Sequence, residues 1–162
     1  MRLRVPLLAL TTAAMMALGG LVATPASAVS DTSTWTGLGA DNKWSTADNW
    51  DIVPTSGSKL VFPDLPDAAR HVTVNDFFSG TSFSSITIRD SGYEIGGEGF
   101  RSTTVVADHP GTSKITAAFQ LDATTTVTVA GAGTLEIAST VSGDRPLTKS
   151  GTGTLLLARA NS

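Results

Sequence analysis

Cysteine is absent from the 162 residues. This excludes a disulfide framework, thiol catalysis and cysteine-ligated metal sites, and leaves stability to burial and hydrogen bonding. Basic residues are few, 11 Lys and Arg against 14 Asp and Glu, which argues against nucleic acid and anionic membrane surfaces as partners. No stretch past residue 50 shows sustained helical periodicity. Nor is there a G-x-S-x-G nucleophile elbow: Gly111-Thr112-Ser113-Lys114-Ile115 lacks its second glycine. The two histidines, His71 and His109, stand apart, and His109 neighbours Asp108 in Asp108-His109-Pro110-Gly111, a turn sequence in which adjacent side chains need not face one another.

At the N-terminus, Arg2 and Arg4 precede a largely apolar run from Val5 to Val22, and Ala26-Ser27-Ala28 supplies small residues for signal peptidase. Residues 1–28 are therefore expected to be a signal peptide cleaved after Ala28, the only part that touches a membrane. Without Arg2 and Arg4, 9 basic residues face 14 acidic ones, a net charge of −5.

Beyond residue 58, short alternating runs are separated by Gly, Asp, Ser and Pro. The runs include Lys59 to Phe62, His71 to Val74, Ser85 to Ile88, Thr103 to Val106, Thr124 to Val129, Thr134 to Ile137 and Leu155 to Leu157. Period-2 alternation of this kind predicts half-buried strands, and pairs such as Ser91-Gly92 and Gly96-Gly97 read as turns. Gly131-Ala132-Gly133-Thr134-Leu135-Glu136-Ile137-Ala138 returns 20 residues later as Gly151-Thr152-Gly153-Thr154-Leu155-Leu156-Leu157-Ala158. Such an echo predicts a coiled solenoid in which Leu135 lies over Leu155, Ile137 over Leu157 and Thr134 over Thr154. The expected fold is all-β, a parallel β-helix over 59–162 behind an irregular Trp-rich N-terminal cap over 29–58. A β-sandwich is the alternative.

All three tryptophans, Trp35, Trp44 and Trp50, fall within sixteen residues rich in turn formers. Two roles fit them. They can close the first coil, whose core would otherwise be wet. Alternatively they form a sugar-stacking platform, with Asp41, Asn42, Asp48 and Asn49 bonding hydroxyls. Neither acidic pair carries the EF-hand order, and Arg101 fills the ligand position in Gly96-Gly97-Glu98-Gly99-Phe100-Arg101, so no metal and no other cofactor is expected. Asp64 and Asp67, the nearest acidic pair for glycoside hydrolysis, sit beside Pro63 and Pro66, where turn chemistry accounts for them.

The segment Leu147 to Asn161, through Leu147, Lys149, Gly151, Gly153, Leu155, Leu157, Ala160 and Asn161, resembles the autotransporter-associated β-strand repeat, or passenger-associated transport repeat. Trp35 to Trp50, continuing through Pro54 and Gly57 to Val61-Phe62, is similar to an opening found on many secreted proteins that bear that repeat. The resemblance implies a right-handed parallel β-helix passenger, secreted or displayed on a cell surface as an adhesin-like stalk, and not an enzyme. The family's pattern continues past the equivalent of Asn161, so the chain reads as a fragment of a longer protein. It holds no segment long enough for a β-barrel of its own. Expected partners are a cell-surface polysaccharide, or another copy through an open C-terminal coil. A carbohydrate-binding module and the remnant of a β-helical polysaccharide-degrading enzyme are the alternatives.

Overall fold

The computed structural model describes residues 31–159; the expected leader, residues 1–28, and the cleavage site expected at Ala26 and Ala28 lie outside them. Strand β1 (Thr32–Thr34) runs into the tryptophan segment. Each of the next four coils then takes three strands. The first holds β2 (Lys59–Phe62), β3 (Val72–Asn75) and β4 (Thr81–Phe83), and the second β5 (Ser85–Ile88), β6 (Glu94–Gly97) and β7 (Phe100–Ser102). The third holds β8 (Thr104–Ala107), β9 (Thr112–Ile115) and β10 (Phe119–Gln120), and the fourth β11 (Thr125–Val129), β12 (Thr134–Ile137) and β13 (Val141–Ser142). A fifth begins with β14 (Leu147–Ser150) and β15 (Thr154–Leu157).

Every pairing between these strands is parallel. They stack into three sheets, ordered β1-β2-β5-β8-β11-β14, β3-β6-β9-β12-β15 and β4-β7-β10-β13. The protein is a parallel β-helix, and the sandwich alternative is set aside, since every neighbour in a sheet comes from the adjacent turn of one coiled chain.

Alternation puts one side chain in two toward the bore. Leu60, Ile86, Val105 and Val127 form one inward column in register, and Ile95, Ile115, Ile137 and Leu157 another. The predicted 20-residue echo is the register itself: Thr134, Leu135 and Ile137 pair with Thr154, Leu155 and Leu157. Thr112 extends the threonine column outward on the same face. Each Leu or Ile so buried contributes about 1.5–3 kcal/mol.

Gly96-Gly97, expected as a turn, instead ends β6 in register with Val74 and Asn75. Gly97 has φ +90°, and a Cβ there would lie 2.2 Å from the Asn75 carbonyl oxygen, so the strand closes only with glycine. The third sheet was not foreseen, because its strands are two or three residues long, too short for alternation to register. His71, expected to open a strand, ends a 3-10 turn (Ala68–His71) instead, because the Asp67 side chain accepts the Ala69 amide and holds that turn.

The corners stack as tightly as the strands. A Cβ on Gly133 would come within 2.1 Å of the His109 carbonyl oxygen one coil below. Gly133→Ala is expected to lower stability by about 1–3 kcal/mol through overpacking of that corner, measured by urea denaturation with the slope unchanged.

Candidate functional site

The tryptophan segment closes the N-terminal end of the coil. A 3-10 turn (Ala47–Asn49) folds it back, so that Trp35 and Trp50 face each other across an isolated bridge and Trp44 packs against Trp50. The ring centres of Trp35 and Trp50 lie 5.1 Å apart, and those of Trp44 and Trp50 5.9 Å, both edge to face. Trp44 reaches Phe62, Phe83 and Phe100, one from each of three strands of the first two coils. The indole N–H of Trp50 donates to the Trp44 carbonyl (2.9 Å) and that of Trp35 to the Arg70 carbonyl (2.8 Å).

All three tryptophans are buried, with 0% to 5% exposure. None offers an open face in this structure, so the sugar-stacking arrangement of Trp35, Trp44 and Trp50 has no surface to act on. The reason is the mouth of the first coil, which exposes Phe62 and Phe83 unless rings of this size cover it. Asn49, a candidate hydroxyl partner, is fully buried and spends its amide on the loop. Its Nδ2 donates to the carbonyls of Asp41 (3.0 Å) and Lys43 (2.9 Å), while its Oδ1 accepts from Gly39 (2.8 Å). Asp41 is fixed too: hydrogen bonding from Thr46, then from the Lys43 amide at 3.1 Å, pulls its carboxyl below the usual carboxylate range. Asn42 is half-buried and Asp48 exposed.

Beside the cap lies an open cleft of about 260 Å³, bordered by Trp35, Gly37 and residues 39–42 on one side and by Asp67, Ala69, Arg70 and Val72 on the other. Asp67 and Arg70 pair at 3.6 Å across partly exposed side chains, a contact that adds little to stability. Asp67 is occupied as the cap of its 3-10 turn, and Asp64 acts on Tyr93. Arg101 points outward, to Asp122 at 2.6 Å and Gln120 at 3.1 Å. Among the described residues, no group of three His, Asp or Glu side chains is placed to hold a metal ion.

The corner between the first two sheets gathers groups that sequence alone leaves apart. His71 stacks on Tyr93 with ring centres 4.3 Å apart. Its Nε2 faces both the Leu65 carbonyl (3.2 Å) and Asp90 Oδ2 (3.5 Å); both accept, so Nε2 carries the proton. The phenol of Tyr93 donates to the Pro63 carbonyl at 2.8 Å, and burial, with Asp90 and Asp64 nearby, pushes its pKa up. One coil further on, His109 is 5% exposed and neither ring nitrogen meets a partner at hydrogen-bond geometry. Burial pulls its pKa down, opposed by the Gly111 backbone and by the carboxylates of Asp90 and Asp108. Coil stacking makes this column, so spacing along the chain carried no signal for it.

Comparison with protein-family models, with curated proteins and with solved structures finds no match.

Two outcomes follow from this geometry. Trp44→Ala is expected to cost about 3–5 kcal/mol by emptying the mouth of the coil, read as a lowered urea midpoint and a collapsed near-ultraviolet circular dichroism signal. For His109, the unfolded chain takes up a proton near pH 6.5 while the folded chain resists. Its contribution is therefore complete above that pH and is lost progressively as the pH falls below it. His109→Leu is expected to flatten the fall of the urea midpoint as the pH drops below about 6.5.

Proposed function

We propose that the chain is an exported, non-enzymatic scaffold, a segment of an adhesin-like stalk of the passenger kind that the Leu147 to Asn161 motif resembles. The observation that carries this reading is the in-register stack of short parallel strands in three sheets, behind a first coil sealed by three buried indoles. A solenoid in which successive coils lay like on like offers a long regular surface, which suits a scaffold or stalk. The acidic surface suits solubility outside the cell, and the leader over residues 1–28 gives the route there.

The test is to express the whole gene in its own host, then to sequence the N-terminus and locate the product by antibody on intact cells and in the medium. A product beginning at Val29, found at the surface or in the medium, is the expected result. A product retained inside the cell with Met1 to Ala28 attached contradicts the reading.

A further inference from the structure

Among the described residues, Phe78 is the most exposed large apolar side chain, at 93%. The turn that carries it, between β3 and β4, is bonded throughout. Its neighbour Phe77 packs toward Phe83, with ring centres 6.4 Å apart, and donates its amide to Asn75 Oδ1 at 3.1 Å. The Phe78 carbonyl accepts from the amide of Thr81 (3.0 Å) and from its hydroxyl (2.6 Å). The amide of Gly80 donates to the Gly99 carbonyl at 2.7 Å, tying the turn to the next coil. The ring is thus held out in water by a well-anchored backbone.

Phe78 lines an open recess of about 430 Å³ together with Phe77, Ser79 and two acidic residues, Asp76 and Glu98. Asp76 is held in place by the amide of Ser45 (2.8 Å) and by its hydroxyl. Neither carboxylate has a basic partner among the described residues, whereas Asp67, Asp122, Glu136 and Asp144 each face an arginine or a lysine. An aromatic face beside unpaired carboxylates suits an organic cation, which gains from the ring quadrupole and from the charges together. A neutral sugar would use only the ring, and an anion would be repelled. The net charge of −3 adds long-range attraction of the same sign.

We propose that the Phe78 recess binds an organic cation, an alkylammonium or guanidinium group seated on the ring face and flanked by Asp76 and Glu98. This stands apart from the scaffold reading, and either can fail alone.

The test is an amide-resolved NMR titration of the full chain with choline chloride and with arginine amide. 3,3-Dimethylbutanol, the neutral isostere of choline, and cellohexaose serve as comparisons. Both cations are expected to give saturating shifts over residues 76–81 and at Glu98, with Kd on the order of 1 mM. The isostere is expected to bind at least about tenfold more weakly, and Phe78→Leu and Glu98→Gln to weaken choline about fivefold each with the melting curve unchanged. Equal binding of the isostere, tighter saturation of the same amides by cellohexaose, unchanged affinity in both variants, or no saturation by about 20 mM cation would each overturn the proposal.

Discussion

Strands that pair only in parallel with the turn above and the turn below cannot satisfy their backbones alone. In this chain the constraint is severe, since the strands run from two to five residues and each gains its donors and acceptors from a neighbour 19 to 27 residues away, as in Ile86 with Val105 and Thr32 with Lys59. Corners must therefore turn at equivalent places in successive coils. Glycine recurs there because a side chain would enter the backbone of the adjacent coil, as at Gly97 and Gly133. Inward positions must be apolar and of similar bulk in neighbouring layers, or a void or a clash would pass from one coil to the next.

The same constraint makes the ends of the coil the weak points. At the N-terminal end the solution is aromatic and local in sequence. Trp35, Trp44 and Trp50 come from one hairpin-like segment organised by buried Asn49, and together they cover Phe62 and Phe83. Ring contacts continue into the bore through Phe62 with Tyr93 and Phe100 with Phe119, before aliphatic residues take over in the later coils. In β14, Lys149 stands in register with Val127, the column of Leu60, Ile86 and Val105, and the ammonium of its exposed side chain donates to the Gly151 carbonyl.

Where the repeat is regular, the fold was legible in the sequence. The glycine-leucine echo gave the pairing of Leu135 with Leu155 because consecutive coils share there both glycines, the Thr-Leu pair and the closing alanine, and differ only at Ala132/Thr152, Glu136/Leu156 and Ile137/Leu157. The first coil hid its relation to the second, since the proline-containing loop between β2 and β3 stretches the offset to 26 residues between Lys59 and Ser85. The third sheet hid as well, its strands being too short for alternation to register. Of the candidate groups, the tryptophans were identified as a cluster, but whether their faces were open depended on a bore that only the fold defines. His71, Asp90 and His109 come together solely through stacking. Phe78 left no signal, because it lies in a turn, where strand alternation does not decide which way a ring faces.

The register is the claim on which the rest stands, and the lack of native cysteine allows a clean measurement of it. Thr134 and Thr154 are paired partners on the outward face of adjacent coils, about 4.8 Å apart as neighbouring strands are, which is within reach of a disulfide. The double variant Thr134→Cys, Thr154→Cys should cross-link under mild oxidation while keeping its fold. The shifted variant Thr134→Cys, Leu156→Cys should remain reduced, its two positions being separated by two further residues along the strand. Efficient cross-linking of the shifted pair, or failure of the registered one, would contradict the in-register coil.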